Sequence, residues 1–189
     1  MKKYELTAEF IEKWGKKLFR IKALISFGSV EAGELGGYVE KEDNLAQTGN
    51  AWVYGNAWVY GNARVYGNAR VYGNARVYGN AWVYGNAEVY GNARVCGNAR
   101  VYDDADYLLI GRIGSRFSFT TFFKNKDKGI TVSCGCFLGT IAEFRAKVTD
   151  THGNNKHAKM YNLAADMAEL QILGEEHFDK LNTNKSEPF

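Results

Sequence analysis

A six-residue repeat, Gly-Asn-Ala-x-Val-Tyr, runs nine times without a change of length from Gly49 to Tyr102, and Cys96 replaces its tyrosine once. Alanine and valine stand two residues apart, so they point to the same side of an extended strand, while the variable residue and the tyrosine point to the other. Gly-Asn tolerates positive φ and turns the chain. A period of six with a glycine in every turn excludes a helix. Each repeat therefore predicts a short strand and a corner, and the whole predicts a solenoid.

The spacing of valine and alanine resembles that of hexapeptide-repeat left-handed parallel β-helix proteins, in which an aliphatic residue is followed four positions later by a small one. Val53 is followed in this way by Ala57, and Val59 by Ala63. The resemblance implies a mainly β fold in which three repeats make one triangular coil, so nine repeats make three coils. A two-sided solenoid with two repeats per coil is the alternative. Valine in every repeat favours the triangle, which has the wider interior.

The variable residue of each repeat is expected on the outer surface, where stacked coils bring mostly cations and aromatic rings together. In chain order these residues are Trp52, Trp58, Arg64, Arg70, Arg76, Trp82, Glu88, Arg94 and Arg100. Because a monomer rarely exposes so much aromatic surface, we expect a homo-oligomer. The resemblance implies a trimer joined through flat walls, with the interface residues Trp52, Trp58, Trp82, Arg70 and Arg76. A surface that stacks bases or sugars is the alternative.

Acyl transfer is the activity most often found on the fold that the repeat resembles. Those enzymes place a catalytic histidine beside the coils and build the acyl-donor site from inserted loops. Residues 49–102 contain no His, Lys, Ser or Asp and no insertion. The resemblance therefore extends to the fold and stops short of the activity. We expect no enzyme, no catalytic residue and no cofactor.

The flanking sequences divide the chain into four parts. We expect an N-terminal cap with an irregular leading coil over residues 1–48 and the β-helix over residues 49–108. A C-terminal domain of one β-hairpin and two helices is expected over residues 109–174, and a flexible tail over residues 175–189. The cap is predicted from an apolar segment rich in Ile, Leu and Phe, and the hairpin from alternating strands around a short polar turn.

Two helices are predicted after the hairpin. Thr140 and Glu143 form a capping box at the start of the first. The second runs from about residue 155 to residue 174 and has a wide apolar face. We expect that face to pack on the hairpin. It includes Met160, Leu163, Met167 and Leu170, with Tyr161, Ala165, Ala168 and Ile172 beside them.

A candidate ligand site precedes the hairpin. Gly114 and Ser115 offer backbone donors and a hydroxyl, and the Arg116 fork suits phosphate or carboxylate. Thr120 and Thr121 add two hydroxyls on the following strand. The segment has neither a P-loop nor a dinucleotide fingerprint, and a plain surface turn is the competing interpretation. We predict that these five residues bind a small anionic, nucleotide-like ligand.

Four further residues are of types that bind zinc. Cys134 and Cys136 lie two apart on a predicted strand, and His152 and His157 follow. The histidine spacing fits many zinc fingers, but the cysteine spacing is short, and Gly153 interrupts the helix between the histidines. Two core thiols and two surface histidines are therefore the favoured interpretation, and we predict no metal. A Cys–His nucleophile is another alternative, for which no orienting acid is evident.

Segments outside the repeat carry a second resemblance. The stretches KYELT, LFRIKAL, AGELGGYVEKEDNL and GCFLGTIAEF, taken with the repeat, are similar to small hexapeptide-repeat proteins encoded by tailed bacteriophages and prophages. The resemblance implies a viral accessory protein that acts by binding in the host cytoplasm. We therefore expect a non-enzymatic protein that counteracts host defence by sequestering a nucleotide-type signal. A structural or protein-binding module acting through its aromatic and arginine walls is the alternative, and a Cys/His enzyme ranks third.

Charge and cysteine content favour a cytoplasmic protein. The net charge of +3 is too small to indicate nucleic acid binding. No apolar run is long enough to span a membrane, and the N-terminal lysines are not followed by the apolar segment of a signal peptide. Three cysteines, an odd number, indicate reduced thiols. We expect neither a membrane nor a nucleic acid as a partner.

Overall fold

The computed structural model describes residues 1–183. The chain forms two compact units that divide between Asp104 and Ala105. The division comes earlier than the expected boundary after residue 108, because Tyr107 pairs with Phe123 in the antiparallel sheet of the second unit. No helix in the described range is long and apolar enough to cross a membrane.

Three strands precede the repeat: β1 (Tyr4–Lys13), β2 (Lys16–Ala23) and β3 (Leu35–Val39). The nine repeats contribute one two-residue strand each. These are β4 (Trp52–Val53), β5 (Trp58–Val59), β6 (Arg64–Val65), β7 (Arg70–Val71), β8 (Arg76–Val77), β9 (Trp82–Val83), β10 (Glu88–Val89), β11 (Arg94–Val95) and β12 (Arg100–Val101).

Each of the first six repeat strands pairs in parallel with the strand three repeats later. The resulting walls are β4, β7 and β10 (the first wall), β5, β8 and β11 (the second wall), and β6, β9 and β12 (the third wall). Three repeats per coil are thereby confirmed, and the two-repeat solenoid is excluded. On the first wall, Trp52 lies beside Arg70 and Arg70 beside Glu88, as the three-repeat register predicts.

The inside of the coils is filled by alanine and valine alone. Every repeat alanine and valine is at most 1% exposed. The corners need glycine for two reasons, as Gly73 illustrates. Its φ is +71°, and a Cβ atom there would come within 3.0 Å of the Gly91 nitrogen one coil later. The asparagines that follow form a ladder, in which Asn50 donates to Asn68 and Asn68 to Asn86, each over 3.1 Å.

A leading coil precedes the repeat. β3 pairs in parallel with β5, so Val39 lies beside Val59, and Leu45 bridges Val65. Strands β1 and β2 continue the sheet of the second wall in antiparallel fashion. Lys3 fixes the start of this segment, because its ammonium group donates to the Ala51 carbonyl over 2.8 Å.

The second unit is an antiparallel sheet with helices. Its strands, in spatial order, are β13 (Tyr107–Ile113), β14 (Ser118–Lys124), β15 (Ile130–Cys134) and β16 (Phe137–Thr140). Its helices are α1 (Ile141–His152), α2 (Lys156–Leu173) and α3 (Glu175–Thr183). The predicted hairpin is β14–β15, and the capping box of Thr140 and Glu143 opens α1 as predicted.

Two C-terminal predictions are corrected. The tail expected over residues 175–189 is helical as far as Thr183, and residues 184–189 lie outside the described range. Half of the face expected to pack on the hairpin is exposed instead, namely Met160, Leu163, Met167 and Leu170, whereas Tyr161, Ala165, Ala168 and Ile172 of the same predicted face are buried as expected. α2 buries its opposite side, which is rich in alanine and includes Ala158, Tyr161, Ala164, Ala165, Ala168 and Ile172. Small side chains let the helix backbone approach its neighbours closely, and long ones at those positions would hold it away.

Candidate functional site

A cavity of about 390 Å³ opens in the second unit, beside the turn that follows β13, the β15–β16 turn and the helices α1 and α2. Its polar lining comes from Ser115, Arg116, Ser118, Lys147, Thr151 and His152, its thiols are Cys134 and Cys136, and its rings include Phe137, Phe144 and Tyr161. The lining residues come from segments far apart in sequence. The cavity therefore combines residues that the sequence suggested for two separate sites.

The turn between β15 and β16 lies close to the Arg116 side chain. Because Cys134 pairs with Phe137, only Gly135 and Cys136 remain to form the turn. Gly135 has a φ of +61°, as the first position of a tight hairpin turn requires. The nearest atom to a Cβ on Gly135 would be Nη1 of Arg116, at 3.7 Å. An added Cβ would thus make only an ordinary van der Waals contact with the guanidinium group, so the positive φ of the turn is what requires glycine here.

The Cys134 thiol has two polar neighbours. The Thr120 hydroxyl donates to its sulfur over 3.2 Å, and the Tyr161 phenol lies near enough for the two groups to influence each other electrostatically. Burial and the neighbouring Cys134 raise the pKa of Tyr161 to about 12, while the positive charge of Arg116 acts in the opposite direction. Tyr161 therefore stays protonated at neutral pH.

Arg116 dominates the charge of the cavity. None of the lining residues is acidic in the described part of the chain. The other cation, Lys147, is paired with Asp150 over 2.7 Å. Arg116 is exposed and has no ion-pair partner within residues 1–183. The site thus offers a planar cationic fork beside hydroxyls, which suits a phosphate or carboxylate group.

Two of the five predicted ligand residues line the cavity, and the other three do not. Ser115 and Arg116 line the cavity. Gly114 is buried, and a Cβ atom there would overlap the Tyr161 hydroxyl, so this glycine makes room for a ring and does not face a ligand. Thr120 and Thr121 are 0% and 2% exposed, and the prediction that they bind a ligand is wrong.

The burial of the two threonines follows from the position of β14. They lie in the middle of that strand, and their neighbours Phe122 and Phe123 are both fully buried. Adjacent strand residues point to opposite faces, so both faces of β14 are covered there. Phe117, in contrast, precedes the strand and is 71% exposed.

The cysteines and histidines are brought partly together. Cys134, Cys136 and His152 line one cavity, and the His157 ring lies 5.7 Å from that of His152. The two cysteines do not share a strand face, because Cys136 belongs to the turn. Within residues 1–183, no group of three or more His, Cys, Asp or Glu side chains could hold a metal ion. Sequence spacing alone could not show that the thiols and Arg116 line one cavity, since these residues come from separate segments of the chain.

The outer walls of the solenoid differ from one another. The prediction that Trp52 lies at an oligomer interface is wrong, because Trp52 is 0% exposed and is covered by Tyr4 and Phe27. Trp58 on the second wall is partly covered by Trp14, whose ring centre lies 5.9 Å away. The N-terminal segment therefore shields part of two walls, because its rings pack on the exposed faces of the first coil.

The third wall keeps an open aromatic surface. Trp82 is 37% exposed, and the Arg100 guanidinium carbon lies 4.2 Å from its ring centre. Tyr66 stacks on Tyr84 with 5.1 Å between ring centres, and Tyr102 at the end of this column is 54% exposed. A groove of about 450 Å³ runs beside this wall, and its lining includes Glu42, Asp43, Gln47, Arg64, Tyr66 and Trp82. The wall thus presents stacked rings, cations and an acidic rim.

Comparison with known proteins finds similarity in the coils. A family model described as YdcK Beta solenoid repeat matches residues 57–71, 69–85, 87–102 and 93–105. These stretches cover well under half of the chain and lie in the repeat and its end. No curated protein matches the chain. The chain is therefore a repeat β-solenoid protein whose coils are similar to those of the YdcK repeat family.

Proposed function

We propose that the second unit is a non-catalytic binding module for a small anionic ligand, held in the cavity at Arg116. The observation that carries this proposal is the Arg116 fork, which has no ion-pair partner within residues 1–183 and lies at a cavity whose described lining contains no carboxylate. Ser115 and Ser118 stand beside it as hydroxyl donors. A charge-assisted, bidentate contact of arginine with phosphate is about twice as strong as a neutral hydrogen bond.

The class of ligand follows from what surrounds the arginine. Phe137, Phe144 and Tyr161 give the cavity an apolar, aromatic side opposite its polar one. A volume of about 390 Å³ lies within the range of small-ligand sites. A mononucleotide or a similar molecule, with an anionic group and a flat apolar ring, suits both sides. Sequestration of a host nucleotide signal, the role implied by the resemblance to phage proteins, would require a cavity of this kind.

The test is thermal unfolding of the purified protein with inorganic phosphate, AMP, cyclic mononucleotides and ADP-ribose. A ligand at 100 times its Kd should stabilise the protein by about 2.7 kcal/mol. Arg116→Gln should abolish the rise in melting temperature. Arg112→Gln, which changes another exposed arginine of this unit, is the matched control and should retain it. A rise that survives Arg116→Gln, or no rise with any member of the panel, would refute the assignment.

A Cys/His enzyme is distinguished from a binding module by whether the bound ligand is chemically changed. Cys134, Cys136 and His152 line the cavity, but no hydrogen bond in residues 1–183 joins either thiol to His152. A binding module should return the ligand unchanged after long incubation, as mass spectrometry would show. Cys136→Ser should then bind it as the wild-type protein does. Turnover of the ligand that Cys134→Ser or Cys136→Ser abolishes would favour the enzyme.

A second candidate function is assembly through the third wall, favoured by the exposure of Trp82 and Tyr102. The resemblance to trimeric β-helix proteins implies that three copies would meet through such walls. Trp82→Glu should then lower the mass measured by light scattering. Phe10→Glu, which changes an exposed ring on β1, should leave it unchanged. A wild-type mass that Trp82→Glu does not alter would refute assembly through this wall.

A further inference from the structure

Helix α2 has two apolar sides. One is buried in the second unit and is composed largely of alanine. The other faces outward, where Met160, Leu163, Met167 and Leu170 are 39%, 63%, 57% and 45% exposed. We name these four residues the outer stripe. A helix that only covered its own sheet would carry polar residues on that side, so the outer stripe calls for a partner.

The outer stripe has the spacing of a helix–helix seam. Its members are separated by three, four and three residues. On a helix of about 3.6 residues per turn, such positions line up on one side and insert between the side chains of a facing helix. The spacing reads the same in both directions. An identical helix running the opposite way would therefore match it residue for residue.

Contacts with α1 fix which side of α2 faces outward. Nη2 of Arg145 on α1 binds Asp166 and Glu169 of α2, each over 2.7 Å. The outer stripe is therefore held in the open by the fold, because rotation of α2 would break these contacts.

Charge selects the direction of the facing helix. Lys156 and Lys159 are exposed near the start of α2, and Glu175 is exposed just beyond its end. Two parallel helices would place lysines beside lysines. Two antiparallel helices place the lysines of each near the glutamate of the other, and this also suits the helix dipoles.

We propose that the outer stripe docks on the outer stripe of a second copy of this chain, with the two α2 helices antiparallel about a two-fold axis. Met160 of each copy then meets Leu170 of the other, and Leu163 meets Met167. The interface is self-complementary, as two-fold symmetry requires. This dimer is independent of the ligand cavity and of assembly through the third wall.

The first experiment measures mass by sedimentation over a range of micromolar concentrations. The wild-type protein should form two-fold units that dissociate in the double variant Leu163→Glu and Met167→Glu. Ala146→Glu, which adds a charge on an exposed position of α1, should leave them intact. Circular dichroism should show that all variants are folded, because the changed side chains are exposed. A wild-type protein that stays monomeric, or an assembly that the double variant preserves, would overturn the proposal. Trp82→Glu in the same series removes any contribution from the third wall.

A charge exchange tests the direction of the helices. Lys156→Glu with Lys159→Glu should raise the dissociation constant severalfold, and adding Glu175→Lys should restore it. In a parallel pair the first two changes would not weaken association through this contact, and Glu175→Lys would bring no recovery. Weakening without recovery would therefore overturn the antiparallel arrangement.

Discussion

The ring of Tyr4 meets the indole ring of Trp52 edge-on, with 6.0 Å between the ring centres. Phe27 contacts the same indole from another side at 5.4 Å. Trp52 and Trp82 occupy the same position of the repeat, yet one is fully buried and the other is 37% exposed. The difference arises because the N-terminal segment covers the start of the first wall, and the third wall lacks such a cover at Trp82.

This difference predicts unequal effects on stability. Trp52→Ala should lower the free energy of unfolding by about 3–5 kcal/mol, because it leaves a cavity under Tyr4 and Phe27. Trp82→Ala should lower it by about 1 kcal/mol, mainly through the lost contact with Arg100. Urea denaturation followed by tyrosine fluorescence measures both. Equal losses would mean that Trp52 is not part of the core.

The glycine corners predict that two glycine-to-alanine substitutions will lower the free energy of unfolding by different amounts. Gly97 has a φ of +62° and nothing within 4 Å of an added Cβ, so Gly97→Ala should cost only the strain of the backbone, about 1–2 kcal/mol. Gly73→Ala has the same strain and also meets the Gly91 nitrogen at 3.0 Å. Its unfolding free energy should therefore fall further. The prediction fails if urea midpoints for the two variants coincide.

The Arg145 cluster predicts a strong effect in the second unit. Arg145→Leu leaves the Glu169 carboxylate, which is 6% exposed, without its cation, and we expect a loss of about 3 kcal/mol. Lys147→Ala breaks the ion pair between Lys147 and Asp150, in which both side chains are more than half exposed, and should lower the stability far less. Thermal unfolding of the two variants compares a buried with an exposed pair. Similar melting temperatures would contradict the burial of Glu169.

Lys3 predicts a dependence of stability on pH. Burial lowers its pKa from 10.5 to about 8. Between pH 8 and pH 10.5 the unfolded chain binds more protons at this lysine than the folded chain, so its contribution to stability rises with pH. Over that range the wild-type protein should gain roughly 1–2 kcal/mol relative to Lys3→Met.

Denaturant unfolding of both proteins at several pH values measures the difference. At high pH, tyrosines with a raised pKa change the stability in the opposite direction, because their stabilising contribution falls as the pH rises. Burial and a hydrogen bond to Glu88 raise the pKa of Tyr72 to about 12, so its contribution is lost only as pH rises above the ordinary tyrosine value. This effect is common to the two proteins and cancels in the comparison. Parallel pH curves would show that Lys3 is not buried as a charged group.

The coils could be predicted from the sequence because their geometry is local. Ala51 and Val53 point inward because strand residues alternate between the two faces. The Gly-Asn corner turns the chain in the same way each time, so the conformation of each repeat follows from its own six residues. The stacking of Trp82 under Arg100 then follows from a constant repeat length. The capping box at Thr140 is local in the same sense, since its two hydrogen bonds span only three residues.

The ligand site could be predicted only in part. Arg116 and Ser115 stood out because a fork and a hydroxyl beside a glycine are chemically suggestive wherever they lie. Whether Thr120 is reachable depends on what covers β14, and the sequence of β14 does not contain that information. Arg116 and Cys134 line the same cavity although they belong to a turn and to a later strand, so only the antiparallel register of the sheet brings them to one place.

By itself, the sequence determined the solenoid, the inward alanines and valines, and the presence of α2, since all three depend on neighbours a few residues apart. The tertiary structure decided that Trp52 is buried, that Arg116 stands at a cavity, and that Leu163 faces outward. α2 has apolar residues on both sides, so its sequence allows either side to be buried. The alanine side packs inward because small side chains bring the helix backbone closest to its neighbours, and Arg145 secures that choice by binding Asp166 and Glu169.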